Sequence, residues 1–251
     1  MFAPRGRLPT LQSADDGHDR RVPELDFDRF DAVTFDCYGT LIDWEAGLVH
    51  ALNAALPSTP GSDDELLEEY ARHEAAAEGG PYRPYREVLA AGLQGVAVRE
   101  GAALRNDVVA RFSESVRDWP AFPDSAEALA RLQERFRLGV ITNCDADLFA
   151  ASAEKLGVDF DWVVTAEQAH AYKPSHVPFE LAFETIDVPR ERILHVAQSL
   201  YHDHVPAKEL GLTSVWIDRR RDRPGFGATP AADASPAAAY PTMAAFADAA
   251  V

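Results

Sequence analysis

The chain has 251 residues, 47% of them hydrophobic, enough for one sizeable core or a core with a smaller companion domain. Its 41 acidic and 24 basic residues give a net charge of -17. That balance argues against nucleic acid, whose partners carry a basic footprint, and against anionic membrane surfaces. No apolar run approaches the roughly 20 residues that span a bilayer, and the N-terminus lacks the apolar stretch of a signal peptide, so a cytoplasmic protein is expected. Lys155, Lys173 and Lys208 are the only lysines. An acidic, lysine-poor surface fits a halophilic protein, because high salt screens the self-repulsion such a surface suffers.

Residues 1–27, rich in Pro, Arg, Asp and Gly, read as a leader. Phe30 to Phe35 reads as a short buried strand, and Gly39 permits a tight turn after it. From Trp44 to Val116 the pattern is helical: Leu48, Leu52 and Leu56 recur at helical spacing, and Pro57 to Gly61 forms a loop. Asp63 to Glu78 is a helix capped by Ser62, ended by Gly79-Gly80-Pro81, and Arg86 to Glu100 and Ala102 to Val116 are two more. After Pro120 and Pro123 strands and helices alternate. Helices are expected at Ser125 to Arg135, Leu148 to Leu156, Phe179 to Ile186 and Val205 to Leu210, strands at Leu138 to Thr142, Trp162 to Thr165, Ile193 to Ala197 and Ser214 to Ile217. Arg219 to Ala239 reads as loop, and a last helix falls near Thr242 to Ala249. The alternation predicts an α/β fold, a Rossmann-like doubly wound parallel sheet. Residues 28–43 plus 119–251 form its core and 44–118 an inserted helical cap.

In such a sheet ligands bind at the carboxyl ends of the strands. Four segments fall there: Asp36 to Thr40, Thr142 to Asp145, the stretch around Lys173, and Gln198 to Asp203. Asp36 is a candidate covalent nucleophile, with Lys173 as its counter-charge. Thr142 and Asn143 can donate hydrogen bonds to the nucleophile or to an anionic substrate. Backbone N–H groups in the Gly39 turn can cradle developing negative charge. Asp203 can bind a metal or position a water. His195 reads as a structural histidine, while His202 and His204 flank Asp203 and can serve as bases or ligands. Cys37 and Cys144, the only cysteines, read as small buried thiols and not as a disulfide framework or a zinc site.

Phe-Asp-Cys-Tyr-Gly-Thr-Leu-Ile-Asp (35–43), Ile-Thr-Asn (141–143), Tyr-Lys-Pro (172–174) and His-Val-Ala-Gln-Ser-Leu-Tyr-His-Asp (195–203) together resemble the four motifs of the haloacid dehalogenase superfamily, in order and spacing. The match is nearest to the L-2-haloacid dehalogenase branch. The resemblance implies a hydrolase that forms an aspartyl ester on Asp36. Its catalytic set would be Asp36, Thr40, Thr142, Asn143, Lys173 and Asp203, with Tyr38, Arg72, Gln198 and Ser199 binding a small anionic substrate such as a 2-haloalkanoic acid. Phosphatases of the superfamily carry a second Asp two residues after the nucleophile, to protonate the leaving group. Here Tyr38 stands there, as in the dehalogenases, and a departing halide needs no proton.

The dehalogenase reading implies no metal or organic cofactor. The alternative, a magnesium-dependent phosphatase, would hold its ion through Asp36, Tyr38 and Asp203. A third reading is a family member that binds without catalysis. The chain departs from the dehalogenase pattern at Leu200 and Phe179, where the family has Asn and Tyr. It also lacks a secure match for the cap arginine: Arg72 is the first candidate, with Arg83 and Arg86 behind it. A homodimer is compatible with the resemblance.

Overall fold

The computed structural model describes residues 25–58, 61–221 and 229–251. Its framework is one sheet of six parallel strands: β1 (Ala32–Phe35), β2 (Arg137–Thr142), β3 (Trp162–Thr165), β4 (Ile193–Ala197), β5 (Thr213–Ile217) and β6 (Ala238–Tyr240). The spatial order is β3-β2-β1-β4-β5-β6, with Ala32 of β1 opposite both Arg137 and Ile193. The near-continuous apolar runs of β1, β2 and β4 are buried along almost their whole length, as strands covered on both faces must be. One apolar cluster, built on Ile141, Val164, Phe179, Ala182 and Ala207, fills one side of the sheet. A larger one runs through Val33, Phe35, Leu129 and Phe149 and continues into the helical insertion. The chain order reverses at β1, between β2 and β4, and this switch point opens the crevice where open α/β sheets bind ligands.

Among the described residues the insertion after β1 holds four α-helices: α1 (Trp44–Ala55), α2 (Asp63–Glu78), α3 (Tyr85–Arg99) and α4 (Asn106–Glu114). Helix α2 starts as expected, with a reciprocal capping box between Ser62 and Glu65. Close approach of α3 to α2 depends on Gly92, where an added Cβ would lie 2.5 Å from the Tyr70 ring. The remaining helices, α5 (Ser125–Gln133), α6 (Ala146–Leu156), α7 (Ala166–Ala169), α8 (Val177–Thr185), α9 (Val205–Leu210) and α10 (Met243–Ala250), flank the sheet. Among the described residues no helix is long and apolar enough to cross a membrane.

Four differences from the sequence reading have physical causes. Strand β6 lies in the segment read as loop. It is three half-exposed residues, Ala-Ala-Tyr, that join the edge of β5 through the backbone, so no side-chain pattern announces it. The single-turn helix α7 is held by a local capping box between Thr165 and Gln168. The helix expected over Ala102–Val116 is shorter, because Gly101 takes a left-handed φ of 63° and the chain re-enters helix only at Asn106. Phe27, read as the end of the leader, is buried against Phe246 at a ring separation of 6.0 Å. Leader residues 1–24, residues 59–60 of the first loop and 222–228 of the later one lie outside the described residues.

Candidate active site

Lys173 sits at the centre of the crevice, 1% exposed, and all three of its ammonium protons are committed. Its Nζ donates to Asp36 Oδ1 (2.9 Å), Asp203 Oδ1 (2.7 Å) and the Ile141 carbonyl (2.8 Å). Burial opposes the charge on Lys173, but Asp203 and Asp36 overcome it and leave the ammonium more basic than usual. Burial likewise opposes the charge on Asp203. There Lys173 and His195 prevail and hold the carboxyl well below the ordinary carboxylate range. Asp36 goes the other way: burial raises it, Lys173 pulls it back, and the charge of Asp203 raises it further.

Asp36 follows directly on β1. Its second oxygen, Oδ2, accepts from Thr40 Oγ1 at 2.7 Å, and the Thr40 oxygen in turn accepts the Gln198 backbone N–H at 2.8 Å. The turn between them needs Gly39, which has φ +93°. A Cβ there would lie 3.1 Å from Trp44 Nε1 and 3.2 Å from Gln198 Oε1. The Gly39 N–H is spent on the Ile42 carbonyl. Asn143 acts on the Lys173 backbone: its Oδ1 accepts the Lys173 N–H (2.8 Å) and its Nδ2 donates to the Lys173 carbonyl (3.0 Å). Thr142 ends β2 fully buried, and its hydroxyl bonds neither Asp36 nor any other described group, unlike the donor expected of it.

His195, read as purely structural, touches the charged centre. Its Nε2 donates to Asp203 Oδ1 (3.1 Å) while Nδ1 accepts from Thr34 Oγ1 (2.9 Å). A polar residue inside an otherwise apolar strand, eight residues before Asp203, was the available signal. His202 lines the cavity with its Nδ1 against Ser199 Oγ (3.0 Å), and burial lowers it to about 4, so the ring is neutral at pH 7. His204 turns away to the Ala197 carbonyl and Ser214.

The cavity over this centre has a volume of about 60 Å³. Asp36, Asn143, Lys173, Gln198, Ser199 and Asp203 line it from the sheet side, with Tyr38 and Trp44 beside the nucleophile. The Tyr38 hydroxyl is occupied by Ser152 Oγ (3.1 Å) and Cys144 Sγ (3.4 Å), and its ring stands edge-on to Trp119. The insertion contributes Glu74, Glu78 and Tyr85. Glu74 Oε1 accepts from Tyr85 (3.0 Å) and Tyr70 (3.3 Å), and burial pushes its carboxyl up to about 7. Burial and the neighbouring Glu74 also raise Glu78 well above the usual range.

No arginine is among these lining residues. Arg72, the expected substrate ligand, is exposed and paired with Glu69. It lies two positions from Glu74, which on a helix of 3.6 residues per turn is nearly the opposite face. Arg83 also stays outside the cavity lining. Arg86 is held by Glu114, Asp145 and Asp147, tying α3 to the start of α6. The buried carboxylate of Asp145, whose role the sequence reading missed, also accepts the backbone N–H groups of Tyr85 (2.7 Å) and Arg86 (3.2 Å). It thus caps α3, which has no cap of its own, from the core.

Comparison with known proteins gives the family. The family model described as haloacid dehalogenase-like hydrolase matches residues 30–204, from the strand before Asp36 to just past Asp203. The chain belongs to this hydrolase family. Haloacetate dehalogenase H-2 of Moraxella sp. (strain B) is 28% identical over 197 residues, 76% of this chain and 87% of that protein. The (S)-2-haloacid dehalogenase of Pseudomonas putida is 25% identical over 198 residues, covering 75% and 84%. Among solved structures, the L-2-haloacid dehalogenase from Xanthobacter autotrophicus with chloropropionic acid covalently bound superposes with a TM-score of 0.72 at 18% identity, over 87% of this chain and 97% of that one. Each of these relatives is named as a dehalogenase, and at such identity the structural match speaks for the fold alone.

Proposed function

We propose that the enzyme hydrolyses the carbon–halogen bond of a small 2-haloalkanoic acid through an ester on Asp36, without a metal or organic cofactor. In the first step a carboxylate oxygen of Asp36 attacks the halogen-bearing carbon; the carbon–oxygen bond forms as the carbon–halogen bond breaks, and halide leaves with the electron pair. Lys173 and Thr40 orient the attacking carboxylate. In the second step water adds to the ester carbonyl, the hydroxy acid departs and the Asp36 carboxylate is restored with release of a proton. The Oδ2 atom of buried Asp203 has no partner among the described residues and is an acceptor available to orient that water.

Tyr38 is the observation that carries this reading. A phosphate-ester mechanism needs a carboxyl acid at that position, whereas here the hydroxyl is taken up by Ser152 and Cys144. The magnesium set of Asp36, Tyr38 and Asp203 fits poorly for a second reason: the Lys173 ammonium already bridges the two carboxylates. The relatives' names point the same way.

The test is bromide release from each enantiomer of 2-bromopropionate in EDTA, beside the Asp36→Asn variant. Release from one enantiomer is expected, falling by more than about 10³-fold in the variant, with the ester on Asp36 trapped and located by mass spectrometry. Hydrolysis of phosphate esters with magnesium, and no bromide from either enantiomer, would replace this reading with the phosphatase one.

A further inference from the structure

Four carboxyl groups, Asp36, Glu74, Glu78 and Asp203, line the cavity against one ammonium, Lys173. That ammonium has no proton left to offer, since Asp36, Asp203 and the Ile141 carbonyl take all three. A bare 2-haloalkanoate therefore meets more carboxyl groups than cations and no uncommitted cation among the lining residues.

The wall contributed by the insertion has the opposite preference. Glu74 and Glu78 stand one helical turn apart on the same face of α2. Glu74 is fixed by the hydroxyls of Tyr85 and Tyr70, while Glu78 makes no hydrogen bond or salt bridge among the described residues. Tyr38, Trp44 and Tyr85 line the same space, and carboxylates beside aromatic rings are the surroundings that favour an organic cation. Asp203, buried in the same lining, also has one carboxylate oxygen without a donor among the described residues, the oxygen available to the hydrolytic water.

We propose that Glu74 and Glu78 form an ammonium subsite, and that the substrate is a small halogenated acid that also carries a protonated amine. This rests on the function proposed above and narrows its substrate class. A zwitterion carries no net charge against the acidic cavity, and its ammonium supplies the counter-charge that the Glu74–Glu78 pair lacks. The substrate carboxylate is then received by the neutral donors of the lining, Asn143, Gln198 and Ser199. The chemistry at carbon is unchanged: Asp36 displaces the halide, water cleaves the ester, and a hydroxylated amino acid, halide and a proton are the products.

The test compares two probes of nearly equal shape, 3-amino-2-bromopropionate and 2-bromobutyrate, which differ in an ammonium against a methyl group. Enzymatic bromide release is measured at pH 7 against an enzyme-free blank, in the wild type and in Glu78→Gln. The wild type is expected to favour the amino probe by about tenfold or more in kcat/KM, the factor for one charge-assisted contact. That ratio should collapse towards one in Glu78→Gln. Equal or faster release from 2-bromobutyrate by the wild type overturns the ammonium subsite while leaving the dehalogenase reading in place. An unchanged ratio in Glu78→Gln removes Glu78 from the subsite, and release from neither probe removes the dehalogenase reading together with this inference.

Discussion

Thr40 shows how much of the site rests on one hydroxyl. It donates to Asp36 Oδ2 and accepts the Gln198 N–H, so it fixes the nucleophile and joins the turn after β1 to the loop after β4. Thr40→Val keeps the shape and removes both bonds. It should lower kcat/KM by about 10- to 100-fold and stability by about 1–3 kcal/mol, because the bond to a charged oxygen is lost and the Gln198 N–H is left unpaired. Thr40→Ser should recover most of both. Steady-state kinetics and denaturant melts of the two variants check this, and a Val variant with wild-type kinetics would show that Lys173 alone holds Asp36. This residue was accessible from the sequence because it follows the nucleophile at a fixed short spacing. His195 was only half legible: its place in an apolar strand marked it, but its contact with Thr34 comes from the register of β4 beside β1, which no linear spacing encodes.

At the scale of elements, strand ends were legible and helix faces were not. The sheet-side residues Asp36, Asn143, Lys173 and Asp203 converge because each terminates or follows a strand, and parallel strands share one carboxyl end. The insertion has no such rule. Taking Arg72 as the cap arginine implied by the resemblance overlooked the stripe Tyr70, Glu74 and Glu78, spaced by four, which with Leu66 and Leu67 faces inward. Glu74 on that stripe makes a pH-dependent contribution to stability. Its folded pKa of about 7 lies above the 4.5 of a free side chain. The native state therefore holds a proton that the unfolded chain has released, and stability falls as pH rises from about 4.5 through 7, by up to about 3 kcal/mol. Glu74→Gln can still accept from Tyr70 and Tyr85 and has no proton to lose. Its melting temperature should exceed that of the wild type at pH 8, with the gap closing at pH 5; parallel profiles for the two proteins would refute the assignment. The insertion is also clamped by Asp145, whose carboxylate caps α3 and binds Arg86. Asp145→Ala should cost about 2 kcal/mol and raise KM, since α3 carries Tyr85 in the cavity wall. Calorimetry and initial rates on the same preparation would show whether the two changes occur together.

Across the whole molecule the dominant feature is the charge of -17, carried by 41 acidic against 24 basic residues. Many of the basic groups are already paired at the surface, as in Arg105 and Arg111 with Asp107, or Arg137 with Asp161 and Asp187. The remaining repulsion is among unpaired carboxylates. Such repulsion disfavours the compact state, and salt weakens it as the screening length contracts from about 30 Å at 0.01 M to about 3 Å at 1 M. The melting temperature should therefore rise by on the order of 5 °C between dilute buffer and molar salt. Sodium and potassium chloride should act alike, and most of the gain should come at the lower concentrations, where the screening length changes most. The Asp36–Lys173–Asp203 centre is buried and lies outside the reach of that screening. Turnover per folded molecule should consequently stay within about twofold over the same range. Full stability in dilute buffer would mean that the surface carries its charge without penalty. A turnover number that climbs in step with the melting temperature would mean instead that salt acts through the active site, and the placement of its charges in a screened-off cavity would have to be reconsidered.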